Sequence, residues 1–144
     1  MNLIEFDEAI ADRLSAWKPT LIITDNTPAE TKGQAEYIRM TIEHGLGFEF
    51  ETTGVFSVGG STVMHSFILR FDVYGPINKG KDSFPGTRRT HELCQEVADQ
   101  WQIQDFGNGV QTLAASIERV GEEKPHYHMA CLIEGRRLET ITKR

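Results

Sequence analysis

In the stretch HSFILRFDVY, His65–Tyr74, every second position from 67 to 73 is apolar: Phe67, Leu69, Phe71 and Val73, with Ile68, Arg70 and Tyr74 set between or after them. A period of two sends successive side chains to opposite faces of a strand, so one face of this segment is wholly apolar. Such a strand is stable only with partner strands beside it and another layer over its apolar face. The rest of the chain therefore has to supply a sheet and its cover.

Helical cover is legible in two places. Leu3, Phe6, Ile10, Leu14 and Trp17 recur at spacings of three and four, which predicts an amphipathic helix over residues 2–17, with Asn2 and Glu5 placed to cap it. A second helix is expected from Arg88 to Trp101, capped by Thr87, with Leu93, Cys94, Val97, Ala98 and Trp101 on one face and Gln104–Gly109 ending it. The partner strands are Thr20–Thr24; residues 36–45, where Ile38, Met40 and Ile42 alternate with polar residues, with Phe48–Glu51 able to extend the pairing; and two closing strands. In the closing pair, Leu113, Ala115 and Ile117 are expected in phase on 110–120, Tyr127, Met129, Cys131 and Ile133 on 126–135, with the turn at Gly121–Pro125. The order is helix, strands, helix, strands. It predicts one α+β domain over 1–144: a small, mainly antiparallel sheet with the two helices packed on it.

After the central strand comes Gly75-Pro-Ile-Asn-Lys-Gly80-Lys81, which fits the first seven positions of a phosphate-binding loop. The next residue should be Ser or Thr opening a helix, but it is Asp82, and Pro85-Gly86 interrupts the chain shortly after. Parallel strands joined by repeated helices are also lacking, so a nucleotide site is not expected. Lys79, Lys81, Arg88 and Arg89 nevertheless concentrate positive charge in a chain of net charge −6. Arg88 and Arg89 stand in the first turn of a helix, where the macrodipole disfavours cations by about 0.3–1 kcal/mol each, so local helix stability does not account for them. They pair either with carboxylates of the same chain or with an acidic surface on a second subunit.

Other chemistry is sparse. His126 and His128 share one side of a strand, and His91 and Cys94 lie one turn apart on a helix, but the histidines follow a turn, where exposure is common, and no metal site is expected. There is no Gly-x-Ser-x-Gly elbow, neither cysteine has a catalytic signature beside it, and no cofactor is implied. The acidic balance argues against sequence-specific nucleic-acid binding. No apolar run approaches the ~20 residues of a membrane span, and the acidic N-terminal segment reads as neither a signal nor a transit peptide. Cys94 and Cys131 fall in a helix and a strand, which predicts buried thiols and a reducing compartment.

The segments FILRFDVYGPINKGKDSFPGTRRTHELCQEVADQW and GVQTLAASIERVGEEKPHYHMACLIEG, in this order after an N-terminal helix, resemble the tail-terminator and minor tail proteins of lambda-type long-tailed bacteriophages. The matching features are the helix at 2–17, the strand Phe67–Tyr74, the loop Gly75–Gly86, the helix Arg88–Trp101 and the turn Val120-Gly121-Glu122. The resemblance implies a non-enzymatic virion protein, assembled in the bacterial cytoplasm into the tail. It would form a homo-oligomeric ring, hexameric in that family, that caps the tail-tube protein, ends tube growth and meets the head connector protein. Lys79, Lys81, Arg88 and Arg89 are then candidates for subunit or tail contacts. A neck adaptor or stopper is the neighbouring alternative, and a small α+β enzyme or metal-binding domain the distant one.

Overall fold

A computed structural model of the chain describes residues 2–17, 21–24, 35–49, 61–77, 87–107 and 109–141. Its longest ladder joins β3 (Ser61–Pro76) to β6 (His126–Ile141), antiparallel and unbroken from Ser61 opposite Ile141 to Pro76 opposite His126. β2 (Tyr37–Glu49) flanks β3 and β5 (Val110–Glu123) flanks β6, both antiparallel, with a bulge in β2 between His44 and Gly47. β1 (Leu21–Thr24) and β4 (Asp105–Gly107) form the margins, giving the order β1-β2-β3-β6-β5-β4. With α1 (Leu3–Ala16) and α2 (Arg88–Trp101), the α+β architecture is the expected one.

The alternating apolar residues place the core. Phe67, Leu69, Phe71 and Val73 are fully buried and lie opposite Gly135, Ile133, Cys131 and Met129 of β6, and Ile38 and Met40 of β2 continue the same face. Both helices cover it. α1 contributes Phe6, Ile10 and Trp17, and α2 contributes Leu93, Cys94, Val97, Ala98 and Trp101, as the helical spacings predict. The helices meet where Trp17 stands edge-on to Trp101 at 5.9 Å, and Arg13 donates to the Gln100 carbonyl at 2.6 Å while lying over the Phe106 ring. Cys94 and Cys131 are free, buried thiols on facing elements. The contact with the Cys94 sulfur, together with burial, pushes the Cys131 thiol far above its ordinary value, while the same contact lowers that of Cys94 against the opposing effect of burial, so Cys131 is not a ready nucleophile.

Several expectations are corrected by packing. Asn2 and Glu5 do form a capping box, but Leu3 is 45% exposed and drops out of the buried stripe, while Thr87 makes no side-chain cap to α2. β1 pairs in parallel with β2, which the long connection through residues 25–36 allows and a tight hairpin would not. The segment expected only to end α2 contains β4. β5 carries an extra residue between Thr112 and Ala115, so Thr112, not Leu113, shares the core side with Ala115 and Ile117. Thr112 is buried because its hydroxyl donates to the Trp101 carbonyl at 2.6 Å and accepts from the Gln104 amide, tying the end of α2 to β5. The turn into β6 is shorter than expected, with strand running to Glu123 and resuming at His126.

Gly135 is where the layers come closest. A Cβ there would collide with the Phe67 ring and sit 2.8 Å from the Gln111 carbonyl oxygen. Gly135→Ala is expected to destabilise the protein by about 1–3 kcal/mol through overpacking, read from the midpoint of urea denaturation at unchanged slope.

Candidate functional site

α2 crosses the covered face obliquely. Its first turn packs at the Pro76 end of β3, where Thr90 fills the space above Gly75, and its last residue is bonded to Thr112 on β5. Arg89 projects from that first turn to Glu36, just ahead of β2, with Nε and Nη2 each 2.7 Å from one carboxylate oxygen. Arg88 pairs with Glu92 one turn on, at 3.0 Å, and Glu92 also lies 3.6 Å from Arg89. The same-chain alternative thus describes both arginines in the isolated subunit. Arg88 keeps 59% of its side chain exposed, whereas Arg89 is half-buried in a two-point grip that an Ala or Lys would not reproduce. Lys79 and Lys81 lie outside the described residues. β3 is antiparallel to both neighbours, so the phosphate-loop match lacks the parallel sheet it needs.

The Arg89 hydrogen bond holds the Glu36 carboxyl below its ordinary 4.5, against a smaller opposing effect of burial. A depressed carboxylate stabilises the fold above its unfolded value and loses that contribution as acid protonates it. Glu36→Gln should therefore cost about 0.5–1 kcal/mol at neutral pH, since solvent screens the pair. Urea titrations at several pH values should show this difference constant above 4.5 and shrinking as the pH falls below it.

The face opposite the two described helices holds a polar cluster that the sequence did not reveal. His126 and His128 do share one side of β6, but they are 8% and 6% exposed, contrary to the exposure expected beside a turn. The His128 ring stacks on Tyr74 with centroids 4.3 Å apart, and Tyr74 stacks on Tyr37 at 4.5 Å; His126 stands edge-on to Tyr37. Register causes this row, because Tyr37, Tyr74, His128 and Gly121 are successive partners across four strands. His128 Nε2 lies 2.7 Å from Asp72 and Nδ1 lies 2.9 Å from Glu123, while Arg70 Nε donates to both Asp72 oxygens at 3.2 Å. Both imidazole contacts are hydrogen bonds only when each nitrogen carries a proton or one carboxyl does. With both nitrogens occupied, the ring has none left for a ligand. Surface hollows of about 170 and 200 Å³ lie elsewhere, beside His44 and Ser66 and beside Gln111 and Arg136, and are smaller than usual ligand pockets.

His91 and Cys94 do not join these histidines. His91 contacts the Thr87 carbonyl and stacks near Tyr127, on the helix-covered side, and no group of three or more metal-ligating residues exists among the described residues. The cluster instead locks β5, β6, β3 and β2 together at one end of the sheet. Burial, then the nearby carboxylates Asp72 and Glu123, push the Tyr74 phenol from 10.0 up to about 12. A neutral phenol favoured by the fold stabilises it fully below the unfolded value, and that contribution declines as the pH rises from 10.0 towards 12. A phenolate absorbance titration should contain a late component that Tyr74→Phe removes; a titration unchanged by that variant would contradict the packing described.

The outer margin of β5 is the other unusual surface. β4 pairs with β5 only at Val110 and Gln111, so from Ser116 to Glu123 no described strand lies beyond β5. Leu113, Ile117 and Val120 are 44–48% exposed along it, and Ile103, hydrogen-bonded to the Leu113 carbonyl, is 72% exposed at a φ of 51°. A β-branched residue in the left-handed region costs on the order of 1 kcal/mol, and exposure returns nothing within the subunit.

No family model matches the chain, and no curated protein is similar to it. A solved structure known by a sequence identifier superposes over 99% of this chain and 99% of its own, with a TM-score of 0.57 at 14% identity. At that identity the likeness concerns the fold. No helix among the described residues is long and apolar enough to cross a membrane.

Proposed function

We propose that the protein is a ring-forming structural component of a long-tailed phage virion that caps the tail tube, ends its polymerisation and offers the surface for head joining. The observation that carries this reading is the order of elements, an N-terminal helix, strands, an oblique second helix and a closing hairpin, on which the resemblance to tail-terminator proteins rests. A second support is the exposed apolar margin of β5, because a protein that works by lateral assembly must present such surface on an otherwise well-packed subunit. The occupied imidazole of His128 weighs against the rival reading of a histidine-lined enzyme pocket.

Sedimentation velocity over a concentration series, alone and with tail-tube protein, tests the proposal. The expected result is a closed ring of about six copies, free or on the end of a tube, and overlong tubes when the protein is withheld. A subunit that binds no tube and leaves tube length unchanged, but binds the portal side, would mean a neck adaptor or stopper.

A further inference from the structure

The two nitrogens of the His128 ring meet unequal partners. Nε2 lies 2.7 Å from Asp72, whose side chain is 11% exposed and is also held by Arg70. Nδ1 lies 2.9 Å from Glu123, the last residue of β5, whose side chain is 52% exposed. The ring is buried and stacked on Tyr74, so packing fixes its orientation towards both carboxylates. Beside Tyr74 stand Tyr37 of β2 and His126 of β6. One row along the sheet, Arg39, Asp72, Ala130 and Glu118 are successive partners, which adds one cation and one anion that offset each other. With a protonated ring, the two carboxylates that touch it are matched by the imidazolium and Arg70. With a neutral ring, one negative charge is left over. A proton shared between an imidazole and a half-exposed carboxyl goes to the imidazole, the stronger base.

We propose that His128 is a pH-operated latch on the β5–β6 hairpin: as the imidazolium it clamps Glu123 to Asp72, and on losing the Nδ1 proton it releases Glu123 and loosens the hairpin end. Nδ1 gives up the proton rather than Nε2, because Asp72 is buried and would lose a partner that water does not replace, whereas Glu123 turns into solvent. A bare Nδ1 then faces a carboxylate oxygen, lone pair against lone pair, and the contact becomes repulsive. Among the described residues no strand lies beyond β5 from Ser116 to Glu123, so its ladder to β6 is what still holds the freed end. The tether requires the imidazolium, so the order it gives is present while the ring is protonated and is lost as the pH rises through its titration. The latch stands apart from the ring reading and holds whether or not the protein assembles.

Proton–nitrogen correlation spectra of the isotope-labelled full-length protein, recorded from about pH 5 to pH 8, read the protonation of each ring nitrogen. Amide exchange, corrected for its intrinsic pH dependence, reads the hairpin. The expected result is a His128 with both nitrogens protonated at the acid end, which loses the Nδ1 proton and keeps Nε2–H as the pH rises. Across that same titration, protection of the amides at Gly121–Glu123 and His126–His128 should fall about threefold or more, while that of the β3–β6 ladder around Phe71 is unchanged. In Glu123→Gln the fall should vanish, because a carboxamide accepts from Nδ1–H and donates to a bare Nδ1 equally well. A His128 that keeps one protonation state throughout the range overturns the latch. So does a titration that leaves hairpin protection unchanged, or a fall that persists in Glu123→Gln.

Discussion

The antiparallel ladder between β3 and β6 is the constraint on which everything else depends. Sixteen residues of each strand pair without a break, so the side of every residue on both strands is set by its parity. A slip of one residue would carry Phe67, Leu69, Phe71 and Val73 to the face opposite the helices and bring Asp72 and His128 under them. Burial of four large apolar side chains against buried charge makes that slip prohibitively costly, and the outer strands inherit their placement from this pair.

The faces then diverge in chemistry. Beneath the helices, aromatic and aliphatic side chains fill the space, with Trp17, Phe71 and Trp101 in mutual contact where α1, α2 and β3 meet. On the other face, which no described helix covers, the buried polar groups are held by stacked rings and by contacts of Asp72 with His128 and Arg70. Such a network pays off in order more than in net energy, since each buried polar group has only exchanged water for a fixed partner. It holds the end of the β5–β6 hairpin against the middle of the sheet.

The arginines show how a basic cluster divides once it is folded. Arg89 is committed to Glu36 and serves the junction of α2 with β2, whereas Arg88 has an exposed i, i+4 partner that contributes little. The two arginines therefore do not act as one unit. On the β5 side, bulges near Leu113 and Val120 twist the strand, a common defence of open edges, yet leave apolar side chains outward.

The architecture was legible because both repeats, two for strands and three to four for helices, are written in large side chains whose burial dominates the energetics. Phe67–Val73, Phe6–Ile10 and Leu93–Trp101 all take the side those repeats require. The phosphate-loop likeness was also dismissible from Asp82, a carboxylate where the pattern needs a hydroxyl, and from Pro85-Gly86, which interrupts the chain shortly after. Three features were decided by tertiary contacts. The extra residue in β5 moved Leu113 out of phase, because a bulge depends on how α2 ends at Thr112 rather than on any local pattern. The parallel pairing of β1 depends on the path of the chain between strands. The burial of His126 and His128 depends on Tyr37, Tyr74 and Asp72, which lie far away in sequence and reach the histidines only across strand register. Short-range periodicity thus determined which residues face the core, while register and chain path, which are long-range, decided which polar groups meet and which margin is left open.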